Sequence, residues 1–189
     1  MIKIGNSASN ISVYSCQPKT KEELRNIIED RISKEGPNCD LNDIDVGLIE
    51  NMSYLFAWTC FDGDISGWNT SNVTDMNEMF LNSAFNGDIS KWDVSKVENM
   101  AYMFEFSKFN WDISNWDVRN VKYMCGMFNR AHFNQEISDW DVSNIDDMSF
   151  MFYMSEFNKD ISNWKINKDC ITKYMFSDCP IKEEYKPIL

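Results

Sequence analysis

The sequence has a single histidine, no C-x-x-C pair, no glycine-rich phosphate loop and no recognisable nucleophile motif. Catalysis needs a nucleophile, a base and an orienting group within reach of one another, so the expectation is a non-enzymatic protein with no catalytic, metal-binding or cofactor-binding residue and no cofactor. His132 stands alone and is expected at the surface. The six cysteines, Cys16, Cys39, Cys60, Cys125, Cys170 and Cys179, share no spacing. They resemble neither a disulfide framework nor a zinc site and are expected as reduced structural thiols.

Positive charge is scarce as well. Lys and Arg total 18 against 30 Asp and Glu, a formal charge of -12. That balance argues against direct nucleic-acid binding and for a partner with a basic surface. The first twelve residues hold one lysine and no apolar run of signal-peptide length, and no stretch is apolar enough to span a bilayer. A cytoplasmic protein without membrane contact is therefore expected. The glycosylation sequons at Asn10, Asn51, Asn69 and Asn72 carry no consequence on that reading.

What is present is a repeat. The unit at 85–108, FNGDISKWDVSKVENMAYMFEFSK, recurs without insertion or deletion in full copies at 61–84, 85–108, 109–132 and 133–156, with degenerate copies at 39–60 and 157–180. A fixed period of this length is the mark of a solenoid, in which each coil buries its apolar face only when neighbours stack on it. At 189 residues the chain makes one structural domain. Its parts are an N-terminal segment with a capping helix at 1–38, the repeats at 39–180 and a charged tail at 181–189.

Within the unit, Ile89, Trp92, Val94 and Val97 follow the I-x-x-W-x-V-x-x-V spacing of a leucine-rich repeat with one aromatic substituted. The expected fold is thus an α/β repeat solenoid, leucine-rich-repeat-like. A short parallel strand is expected around 92–94 on one wall, and a short helix or 3-10 turn over 97–104 on the other. Trp68, Trp92, Trp116, Trp140 and Trp164 form the expected structural spine, and the paired methionines from Met76 and Met79 to Met148 and Met151 fill the core beside it.

Ahead of the repeats, Ile2, Ile4, Ile11 and Val13 suggest an edge strand or hairpin within 1–17. Thr20 and Glu23 form a capping box, and Leu24, Ile27, Ile28 and Ile32 share one face before Gly36 and Pro37. A helix over about 21–35 follows, suited to cover the first coil. In the last copy Asp169 and Thr172 replace apolar residues, as a coil facing solvent on one side requires.

The units FNGDISKWDVSKVENMAYMF and FNQEISDWDVSNIDDMSFMF resemble the repeats of the BspA-like leucine-rich-repeat surface proteins, over about residues 40–180. The resemblance implies a leucine-rich-repeat-like solenoid used for protein binding, with some members resembling adhesins.

Two columns stand out at outward positions. Asn86, Asn110, Asn134 and Asn158 sit at a bend where an amide side chain can bond neighbouring coils, with Asp88, Asp112, Glu136 and Asp160 capping the same bend. Asn69, Asp93, Asp117, Asp141 and Lys165 lie on the expected strand wall, where stacked carboxylates repel one another. Three readings stand for them: each Asp accepts the amide two residues on, or the column meets cations of a partner, or it holds a row of calcium ions, for which no oxygen-rich loop exists. The expected partner-binding residues are Asp93, Asp117 and Asp141 with Lys91, Asn115, Asp139, Ser95 and Arg119 around them. The leading functional expectation is a non-enzymatic protein–protein interaction module presenting this face. The alternatives are an acidic intracellular inhibitor that imitates nucleic-acid charge, or a surface adhesin if the chain is exported.

Overall fold

The computed structural model describes residues 14–189, so the alternating run at 2–13 falls outside the described residues. The next residues are paired: Cys16 bridges Ile44 in parallel, with Ser15 N donating to Asp43 O and Asp45 N to Cys16 O.

The one α-helix among the described residues, α1, is Lys21–Glu35. It starts where Thr20 Oγ1 accepts from Glu23 N at 3.1 Å, while the Glu23 carboxylate takes the Lys19 amide at 2.7 Å. Those two bonds occupy amides that no earlier turn can serve. It stops at Gly36, whose φ of 92° a side chain would oppose. Leu24 and Ile28 are buried against the first coil. Arg31 fixes the far end by reaching Asp43 and the Asp40 carbonyl.

From 37 onwards the chain winds in coils of 24 residues, 37–60 through 157–180, and equivalent residues lie one above another. Two phenylalanine columns show the superposition directly. Phe56, Phe80, Phe104, Phe128, Phe152 and Phe176 stack at 5.5 to 5.8 Å between ring centres. Phe61, Phe85, Phe109, Phe133 and Phe157 stack at 6.0 to 6.3 Å. The five spine tryptophans, Trp68, Trp92, Trp116, Trp140 and Trp164, are each 4% exposed, and each indole Nε1 donates to an isoleucine or leucine carbonyl of the preceding coil. A polar ring nitrogen can thus lie in the core without an unpaired donor.

The main-chain bonds between coils do not run where the leucine-rich-repeat spacing put them. Residues 92–94 pair with no neighbouring strand; the parallel bridges join Asn51, Asp75, Asn99, Tyr123, Asp147 and Ile171 in succession. In the segment 99–107, the amides of Met100, Tyr102, Phe104 and Phe106 donate to the carbonyls of Tyr123, Cys125, Met127 and Asn129 in the next coil. The alternate amides, of Met103, Glu105 and Ser107, fold back onto carbonyls three residues earlier. No helix forms at 97–104, only single turns closed by these three-residue bonds, because a helix would keep every amide within its own segment and leave none for the next coil.

A left-handed residue makes the alternation possible. Tyr54, Glu78, Tyr102, Gly126, Phe150 and Tyr174 form one column of positive φ, and Trp58, Asn82, Phe106, Arg130, Met154 and Asp178 a second one four residues on. Each non-glycine member costs about 1–2 kcal/mol in backbone strain, which the bonds between coils must exceed.

Gly126 is the one member of these columns without a side chain, and Tyr102 occupies the space. A Cβ on Gly126 would come within 2.3 Å of the Tyr102 ring. Burial there pushes the Tyr102 hydroxyl up to about 12. Gly126→Ala is expected to cost about 1–3 kcal/mol in chemical unfolding and to return Tyr102 to an ordinary phenolic titration as its ring is displaced.

The stack is closed unequally. α1 covers the first coil. At the other end a 3-10 turn, Glu183–Tyr185, brings Tyr185 O to Ile161 N, with Ile181 and Pro187 buried beside it.

Candidate partner-binding faces

Two long walls are available. The first carries the residues singled out from sequence. Trp92 and Val94 point into the core while Lys91 and Asp93 are exposed and Ser95 half-buried; Asn115, Arg119, Asp139 and Asp141 are exposed and Asp117 half-buried. The structure therefore brings all eight to one face.

The carboxylates in this column are tied to their own coil. Asp93 Oδ1 accepts from Ser95 Oγ at 2.6 Å and Ser95 N at 3.0 Å, and Asp141 does the same with Ser143. Asn69 makes the equivalent bonds to Ser71, so the turn needs the acceptor and not the charge. Asp117 differs: Arg119 grips both of its oxygens, through Nε at 2.8 Å and Nη2 at 2.7 Å. Serine hydroxyls hold Asp93 and Asp141 below the usual carboxylate range, and the Arg119 guanidinium does so for Asp117. All three are ionised at neutral pH.

The neighbouring bend repeats the device. Asp64, Asp88 and Asp112 are lowered first by the backbone amide two residues on, and each neighbouring pair of the asparagine column is joined by an Oδ1 accepting the next amide, as Asn86 takes Asn110 N at 2.9 Å. The three aspartates give the fold an acid-sensitive contribution. Their folded pKa values lie below the unfolded value of about 3.9, so their contribution is present above about pH 4 and is lost as pH falls through the depressed values. Circular dichroism is expected to show unfolding on acidification below that point, and substituting Asn at 88 and 112 together should flatten the pH dependence.

The second wall carries the ladder of bonds between coils, and it was missed from sequence. Tyr54, Trp58, Phe106, Tyr123, Met154 and Tyr174 are exposed there, Trp58 by 70%. Most of them sit on the two left-handed columns, whose side chains face away from the core. Tyr54 Oη donates to Glu78 at 2.6 Å, and Arg130 lies 5.3 Å over the Phe106 ring. Burial, with the nearby Glu78 carboxylate, pushes Glu105 up. Aromatics recur at these slots in the sequence, but the residue types alone do not show that they point outward.

His132 is exposed with Nδ1 2.7 Å from Glu156 Oε1. Among the described residues no group of three or more His, Cys, Asp or Glu is placed to hold a metal ion, and no helix is long and apolar enough to cross a membrane. Burial pushes the thiols of Cys39, Cys125, Cys170 and Cys179 up, away from reactive thiolate character.

The family model described as Mycoplasma protein of unknown function, DUF285, matches the chain twice in tandem, over residues 24–108 and 105–186. No curated protein and no solved structure matches the chain.

Proposed function

The chain belongs to the family of Mycoplasma proteins of unknown function, DUF285, and from that premise we propose that it is a non-enzymatic protein-interaction module that engages a basic protein partner through the face holding Asp93, Asp117 and Asp141. The finer placement we propose is among BspA-like, leucine-rich-repeat-like solenoids. It is supported by parallel coils of 24 residues and by the inward Ile, Trp and Val of the copies at 85–108, 109–132 and 133–156.

One observation carries the functional reading. Along a single face, ionised carboxylates recur at the same slot of consecutive coils, each pre-positioned by bonds within its own turn. Fixed charges lose little freedom on binding, which favours complementary attraction over attraction between mobile side chains. The core and the backbone ladder do not depend on what occupies the outward slots, so Gly67, Lys91, Asn115 and Asp139 vary freely at one of them.

The test uses Asp93→Asn, Asp117→Asn and Asp141→Asn together. Asn69 already serves the same turn, so the variant should fold. Binding of a lysine-rich peptide is expected to weaken by about tenfold or more and to lose most of its salt dependence. Unchanged affinity in a folded variant would count against this face.

A further inference from the structure

The last coil presents an edge that every earlier coil uses to hold its successor. At each seam four amides donate across: Met148, Phe150, Phe152 and Met154, for example, reach the carbonyls of Ile171, Lys173, Met175 and Ser177 at 2.8 to 3.0 Å. The equivalent amides of the last coil belong to Thr172, Tyr174, Phe176 and Asp178. Among the described residues, nothing accepts from any of the four. Their backbone is nonetheless set as in the internal coils, with φ of 58° at Tyr174 and 55° at Asp178. The donors are arranged in advance and aimed outward.

The side chains repeat the pattern. Phe176 stacks on Phe152 at 5.8 Å with planes 3° apart, as each phenylalanine of that column does on the one before. Its other face meets Lys186 Nζ at 5.7 Å. A shallow cavity of about 380 Å³ lies alongside, bounded by Thr172, Tyr174, Phe176, Lys186 and Leu189. The opposite end of the stack differs, because α1 buries Leu24 and Ile28 there and Arg25 takes the Tyr54 carbonyl.

We propose that this edge is a docking site for a segment of another protein that takes the turned backbone of 147–154, laid parallel to 171–178, accepts from the four amides through alternate carbonyls and stacks an aromatic side chain on Phe176. The occupant follows from continuity with the seams inside the molecule, where the same four donors and the same ring slot hold a segment of that chemistry. Lys186 shields the ring until the partner's aromatic displaces it. The site is separate from the acidic face, so either proposal can fail without the other.

The probe is a fluorescein-labelled peptide with the sequence of residues 146–155, DDMSFMFYMS, whose carbonyls serve the seam below it. Anisotropy with the full chain is expected to show saturable binding. Phe176→Ala in the protein and Phe152→Ala in the peptide should each weaken it by about tenfold or more, the worth of a lost ring contact in a dry seam. Thr172→Pro, which removes one donor and leaves the ring, should weaken it by a smaller factor; Lys186→Ala should strengthen it. The triple Asn variant of the acidic face should bind the peptide as the unaltered protein does. Absence of saturable binding, or equal binding by Phe176→Ala and Thr172→Pro variants with unaltered melting, overturns the proposal. So does concentration-dependent self-association that Thr172→Pro abolishes, since the edge would then belong to a second copy.

Discussion

Trp116→Ala is expected to lower the stability of the fold by about 3–5 kcal/mol, the usual loss for deleting a buried aromatic side chain. Trp116 is 4% exposed, lies in a coil with neighbours on both sides, and its ring meets Phe104 at 6.4 Å. The indole also donates to Ile89 O at 3.2 Å, so its removal leaves a carbonyl of the preceding coil without that partner. Trp116→Phe keeps most of the ring and loses only the donor. It is expected to cost about 1–3 kcal/mol, and the difference between the two variants separates packing from hydrogen bonding. Trp164→Ala should cost less than Trp116→Ala, because its coil has a neighbour on one side only. Urea unfolding followed by far-ultraviolet circular dichroism checks all three. A loss below about 1 kcal/mol for Trp116→Ala would mean that the spine is not part of the core.

The period was legible because nothing interrupts it: Phe61, Phe85, Phe109 and Phe133 announce the coil, and Thr20 and Glu23 announce α1, by residue identity alone. Apolar spacing also shows which side chains turn inward. It does not show which amides cross to the next coil. The spacing of Ile89, Trp92 and Val94 suggested a strand there, yet the ladder runs through 99–106, on the opposite wall. The cause is the pair of left-handed columns. Glycine or asparagine would have marked them, but among the twelve positions only Gly126 and Asn82 are of those types, and nothing in side chains such as Tyr54, Glu78, Tyr102, Phe106 and Phe150 signals positive φ. Neighbouring coils enforce the conformation, so it is a property of the stack and not of any one segment.

The candidate face was legible in its location and ambiguous in its chemistry. Asp-Val-Ser in a turn predicts a carboxylate that accepts its own amide, and an exposed column predicts a carboxylate free to meet a cation. Asp93 and Asp141 do the first with one oxygen while their side chains stay on the surface. Arg119 could not be placed from sequence, since only the geometry shows it closing on Asp117 of its own coil. The aromatics of the ladder wall were overlooked for the same reason as the left-handed columns. Their outward direction depends on a backbone conformation that the residue types do not predict.

The second large effect follows from stacking itself. If each coil contacts only its neighbours, removing residues 109–132 whole should bring 85–108 against 133–156 in unchanged phase. Met100, Tyr102, Phe104 and Phe106 would then donate to Asp147, Ser149, Met151 and Tyr153, the carbonyls that Met124, Gly126, Phe128 and Arg130 reach now. Trp140 would take the Ile89 carbonyl in place of Ile113. Removing residues 109–120 instead deletes Ile113, Trp116 and Val118 and puts every later residue out of phase with the coil below it. Thermal unfolding of the two deletions beside the full chain decides the matter. The expected result is a cooperative transition for the 109–132 deletion, lowered by several degrees, and none for the 109–120 deletion. Loss of the transition in both, or its survival in both, would contradict an interior built from residues one coil apart.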